Sequence, residues 1–124
     1  MIIPVVSDDI IYFSKLQSKI NQKRYELRHV KSEEDIVDII LKCNYPICII
    51  DINSKLIESL NLQNALKNRG CHSIDTIAYY PHVDIKLKEK AVDFGTNLQV
   101  TRNQLFKNLN KILDNIIFNQ MSES

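Results

Sequence analysis

Two short acidic segments are the residues best suited to chemistry. Ser7-Asp8-Asp9 and Asp51-Ile52-Asn53 lie about forty positions apart, and each follows a run of β-branched apolar residues. Brought side by side, three carboxylates and an amide make an oxygen-rich cluster. Crowded carboxylates repel one another unless protons or a cation intervene, and a hard divalent ion such as Mg²⁺ favours such donors. Taken singly, each acid has a plainer role: Asp8 or Asp9 can cap a following helix, and Asp51 can cap the turn behind it. A third segment, Tyr79-Tyr80-Pro81-His82, adds an imidazole able to act as base or ligand. A lone His ahead of a helix is more often a local hydrogen-bonding residue. Cys71-His72 reads as loop, because adjacent residues cannot readily share a metal. Three cysteines are too few for a disulfide framework and read as reduced thiols. Lys86, Lys88, Lys90, Lys107 and Lys111 form a basic strip that either docks an acidic partner or is simply solvated.

These groups converge only if the elements carrying them lie side by side. Ile2 to Val6 is short, continuous and β-branched, as in a strand buried on both faces. Ile10, Phe13, Leu16 and Ile20 recur every three or four residues, predicting a helix from Asp9 to about Asn21. Tyr25, Leu27 and His29 alternate with polar neighbours, as on an edge strand. Ser32 caps a second helix opened by Glu33, Glu34 and Asp35, with Ile36, Val37, Ile39, Ile40 and Leu41 inward. Pro46 to Asp51 is a strand, Leu56 to Arg69 a helix closed by Gly70, and Thr76 to Tyr80 a strand. Asp84 to Phe94 is a helix closed by Gly95, and Leu98 to Val100 a short strand. A last helix spans Asn103 to Asn119, with Leu105, Phe106, Leu109, Ile112, Leu113 and Ile116 inward. Residues 120–124 read as a frayed tail.

Strand and helix alternate five times with short connections, which predicts one α/β domain over residues 1–119. The expected architecture is a flavodoxin-like, doubly wound, five-stranded parallel sheet of order 2-1-3-4-5 with helices on both faces. In such a sheet the functional crevice lies beyond the C-terminal ends of the strands at the switch point, the first and third. Those ends carry the two acidic segments.

In the order and spacing of these residues the chain resembles the response-regulator receiver (CheY-like) family over about residues 2–118. The resemblance rests on the acids after the first strand, on Cys48-Ile49-Ile50-Asp51-Ile52-Asn53, and on Ala91-Val92-Asp93-Phe94-Gly95. It implies that Asp51 is the phospho-acceptor, that Asp8 and Asp9 hold Mg²⁺ where the ion binds, and that the Asn53 carbonyl completes its ligands. Three positions depart from the family pattern. Ser7 stands where the acid pair usually begins. Tyr80 or Pro81 occupies the slot of a Ser or Thr hydroxyl, and Arg102 that of a Lys. An arginine keeps the charge but not the compact ammonium. The resemblance also implies a protein partner, either a histidine kinase or an output protein. Homodimerisation would use the helix 84–94, strand 98–100 and helix 103–119 face, with Tyr79, His82, Lys86, Lys90, Lys107 and Lys111 on the interaction surface.

The expected function is that of a stand-alone receiver-like domain working by protein–protein contact without being an enzyme, its phosphotransfer weak or lost. The alternative is a working Mg²⁺-dependent phospho-receiver at Asp51. A flavin protein is disfavoured: acids after the first strand repel a phosphate, and two glycines in the whole chain do not make a phosphate loop. Balanced charge, 16 Lys+Arg against 15 Asp+Glu, gives no field for nucleic acid or an anionic membrane. No apolar run approaches the roughly 20 residues of a membrane span, and MIIPVVSDDI lacks a basic signal-peptide start. A cytoplasmic location is expected.

Overall fold

The structure, a computed structural model, describes residues 1–59, 61, 64–65, 68–70, 74–82 and 84–123. Its strands are β1 (Ile2–Val6), β2 (Glu26–Val30), β3 (Ile47–Asp51), β4 (Asp75–Tyr80) and β5 (Leu98–Thr101). The helices are α1 (Ile10–Lys19), α2 (Glu33–Leu41), α3 (Ile85–Asp93) and α4 (Arg102–Glu123). All neighbouring strands pair in parallel, in the order β2-β1-β3-β4-β5. This is the doubly wound sheet expected from the alternation.

Side chains alternate across the sheet, and two cores result. Ile3, Val5, Ile49, Ile77 and Tyr79 pack against Tyr12, Phe13 and Leu16 of α1 and Leu105, Leu109 and Leu113 of α4. Val6, Cys48, Ile50, Ala78 and Tyr80 face the other way, against Ile36, Val37 and Ile40 of α2 and Ala91 of α3. The central strands are apolar throughout because helices cover both faces.

Each helix begins where a side chain supplies its first acceptor. Asp9 accepts from Tyr12 N, Ser32 from Asp35 N, and Asp84 from Lys86 N and Leu87 N. Thr101 and Gln104 bond reciprocally at the start of α4, Gln104 N to Thr101 Oγ1 and Thr101 N to Gln104 Oε1, which makes a capping box. Gly70 and Gly95 have φ of +83° and +93°, the left-handed geometry that ends a helix.

Four local readings change. Leu41, expected inward, is the last residue of α2 and is 38% exposed. Ile10 is 60% exposed, and Tyr12 takes the inward place on α1. The helix expected over Leu56–Arg69 opens as a 3₁₀ helix, Lys55–Ser59, and much of the rest lies outside the described residues. Residues 120–123 continue α4 instead of fraying, because Gln120 Nε2 donates to the Pro46 carbonyl and to Asp75 Oδ2.

Candidate functional site

The C-terminal ends of β1 and β3 adjoin, and the turns after them carry the acids. Asp51 ends β3 opposite Tyr79 and is only 5% exposed. Its Oδ1 accepts from Asn53 N at 3.0 Å, the turn-capping role. Its Oδ2 accepts from Ser7 Oγ at 3.4 Å. Ser7 is itself buried and fully used: Tyr79 Oη donates to its Oγ at 2.8 Å and Asp9 N at 3.0 Å. A hydroxyl has one proton and two lone pairs, so this chain from Tyr79 through Ser7 to Asp51 leaves nothing unpaired at the serine. His29 Nε2 donates to the Ser7 carbonyl and ties the loop to the β2 edge.

The other two acids turn elsewhere. Asp8 Oδ1 accepts from Ser54 Oγ and Oδ2 from Lys55 N, both at 2.9 Å, so Asp8 caps the 3₁₀ helix after β3. Asp9 caps α1 with Oδ1 and pairs through Oδ2 with Arg102 Nη1 at 3.6 Å. The α4 capping box fixes the backbone beside Arg102. Its guanidinium lies 5.0 Å from the Tyr12 ring centroid, while Tyr12 Oη donates to the Arg102 carbonyl at 2.6 Å. Tyr12 and Tyr79 pack ring against ring at 4.9 Å.

Burial pushes the Asp51 carboxyl above the ordinary carboxylate range, against the Asn53 N–H, the Arg102 charge and the Ser7 bond, which act the other way. Asp8 moves down, chiefly through the Lys55 N–H. Burial also raises Tyr12 and Tyr79 beyond the usual phenol range, and the Asp51 charge adds to both.

A divalent cation needs several oxygen donors aimed at one point. Among the described residues no group of three or more His, Cys, Asp or Glu side chains is placed to hold a metal ion. Asp8 faces the 3₁₀ helix, Asp9 faces Arg102 and Asp51 faces Ser7, so as arranged these residues do not fit Mg²⁺. Asn53 is exposed and contributes its N–H to Asp51.

Tyr79, expected on the interaction surface, is fully buried and belongs to the site. β4 is covered on both faces, and its alternation sends Tyr79 towards α1 and Tyr80 towards α2 and α3. The Tyr80 side chain therefore packs across the sheet from Ser7 and Tyr79. Pro81 is half-buried, and His82, Lys86, Lys88, Lys90, Lys107 and Lys111 are exposed. Lys86, Lys88 and Lys90 stand on α3 and Lys107 and Lys111 on α4, helices that pack on opposite faces of the sheet. Cys71 and His72 lie outside the described residues. Sequence reasoning undervalued Ser7 and missed Tyr12, although Tyr12 stands four residues before Leu16 on the inward stripe.

No protein-family model matches the chain, and no curated protein matches it. Solved structures do. A response regulator receiver protein from Pseudoalteromonas atlantica superposes with a TM-score of 0.70 at 18% identity, covering 97% of this chain and 99% of the other. A response regulator from Thermotoga maritima gives 0.68 at 17% identity, covering 94% and 96%. The receiver domain of AraT, a response regulator from Geobacillus stearothermophilus, gives 0.71 at 10% identity, covering 98% and 96%. The fold of this chain is that of response-regulator receiver domains.

Proposed function

We propose that this chain is a receiver-like signalling domain of the cytoplasm that acts by protein–protein contact, not as an enzyme, with phosphotransfer at Asp51 weak or lost. The observation that carries this reading is the occupation of the acid cluster by the protein's own donors. Asp51 is buried under Ser7, Asp8 caps a helix turn, and Arg102 is held by Asp9 and Tyr12. Phosphoryl transfer depends almost wholly on positioning and charge neutralisation around the phosphoryl oxygens. Here Ser7 stands in place of the first acid, Tyr80 or Pro81 stands in place of the strand-end hydroxyl with the Tyr80 side chain on the opposite sheet face, and the cation is a guanidinium paired with Asp9. If each change raised the barrier by about 1.4 kcal/mol, transfer would slow about a thousandfold. A kinase or an output protein is the kind of partner a receiver-like domain meets, and the exposed lysines of α3 and α4 are the surface offered.

The test is incubation with Mg²⁺ and acetyl phosphate, or with beryllofluoride, followed by intact mass and amide spectra. Unchanged mass and only weak, non-saturating spectral shifts are expected. A gain of one phosphate at Asp51, or saturation at submillimolar Mg²⁺, would replace this reading with that of a working phospho-receiver.

A further inference from the structure

Two surface features at opposite ends of one layer of the fold fit each other. α2 and α3 pack on the same face of the sheet, α2 towards the β2 edge and α3 against β4 and β5. Beside α2 and β2 opens a groove of about 740 Å³ whose apolar lining includes Val30, Ile39 and Tyr45. Asp35, Asp38, Lys42 and Arg28, the last paired with Glu26, also line it, carrying charges of both signs. At the far end, α3 buries Ala91 and packs Leu87 inward, but leaves Ile85 73% and Val92 54% exposed. Seven residues are two helical turns, so Ile85 and Val92 share one stripe, with Lys88 and Glu89 between them. That stripe is an apolar anchor, a cation beside an anion, and a second apolar anchor. It matches an apolar groove that offers Asp35 and Asp38 to Lys88 and Lys42 to Glu89. Among the described residues the groove's acids make one ion pair, Asp38 with Arg69 at 3.8 Å, between exposed groups.

We propose that copies of this chain associate head to tail, the α3 stripe of one seated in the α2–β2 groove of the next. The two features stand at opposite ends of their layer and cannot meet within one molecule. The contact is heterologous, so each copy in a pair keeps one groove or one stripe free, and association continues to chains or closed rings. The near balance of 16 basic and 15 acidic residues leaves no net repulsion between copies. This arrangement differs from a two-fold dimer across α3, β5 and α4, and it does not depend on the chemistry of Asp51.

Sedimentation of the full chain up to about 1 mM, a range that detects weak contacts, should show an average mass rising past that of a dimer. Two variants separate the partners. Ile85→Asn with Val92→Asn removes the stripe's anchors and keeps the groove, whereas Asp38→Lys repels Lys88 and keeps the stripe. Each alone should associate at least about tenfold more weakly than the wild type. Mixed in equal amounts, they should form one-to-one dimers that grow no further, because only one stripe and one groove remain competent. All three positions are exposed, and circular dichroism melts check that the variants fold. A wild type that stays monomeric, one that stops at a dimer, or a mixture no larger than its components would overturn the proposal. The wild-type curve alone decides if a variant does not fold.

Discussion

Ser7 illustrates how far a residue's role can lie from its type. In sequence it is an acid that is missing; in the fold it is the acceptor for Tyr79 Oη and Asp9 N and the donor to Asp51. Ser7→Ala strands a buried phenol and a helix-start N–H, which costs about 1–3 kcal/mol in urea unfolding. A loss below about 0.5 kcal/mol would show that these bonds contribute nothing. Asp51 behaves in the opposite sense. Its carboxyl titrates higher in the fold than in the unfolded chain, where the ordinary value is 3.8. Between those two values the native state holds more proton, so rising pH weakens the native state through that window. Asp51→Asn removes this loss and keeps an acceptor for Asn53 N. The variant should match the wild type near pH 4 and equal or exceed its stability at neutral pH, by about 1 kcal/mol or less. Paired denaturant melts across that range measure the difference; a clearly less stable variant at neutral pH would mean that the charge itself is held favourably, with Arg102 the evident counterion. The acids were legible as a group at the end of β1 and β3. Their individual partners were not, because these depend on Ser54, Tyr79 and Arg102, which distant elements deliver.

At the scale of elements, caps and apolar periods carried most of the information. Ser32 and Asp84 stand directly before their helices and bond as their positions suggest, because capping is a local interaction. Continuous β-branched runs marked β1 and β3, since a strand covered on both faces has no polar side to display. Replacing Ile49 by Ala, fully buried in β3 between α1 and α4 packing on one side and its neighbours β1 and β4, should cost about 2–5 kcal/mol in denaturant melts. A change under about 0.5 kcal/mol would contradict its central place. Ends were harder to read. Ile10 sits at the first position of α1, beyond the reach of the core, so its apolar character says nothing of burial. Gln120 lies in a stretch whose composition suggests a tail, yet its amide reaches Pro46 and Asp75 and holds the last turns of α4 in place. Tyr79 was misplaced because two adjacent tyrosines at a strand exit resemble a surface pair. Only the helices on both faces show that each has a core of its own.

For the molecule as a whole, the alternation of strand and helix was sufficient to give strand order, since right-handed crossovers leave few ways to wind five such units. Parallel winding also spreads the site over nearly the entire chain. The Tyr79–Ser7 bond closes a separation of 72 residues, and the bond from Tyr12 to the Arg102 carbonyl closes one of 90. Contacts this distant in sequence form late, after the entropy of closing long loops has been overcome. During synthesis, a chain that has emerged only through β3 carries Asp51 with neither Tyr79 nor Arg102 to surround it. Its carboxylate is then an ordinary solvated acid. The distinctive environment of Asp51 arises only when β4 has inserted and the start of α4 has docked on α1, so the site is a property of the finished chain and of no fragment of it.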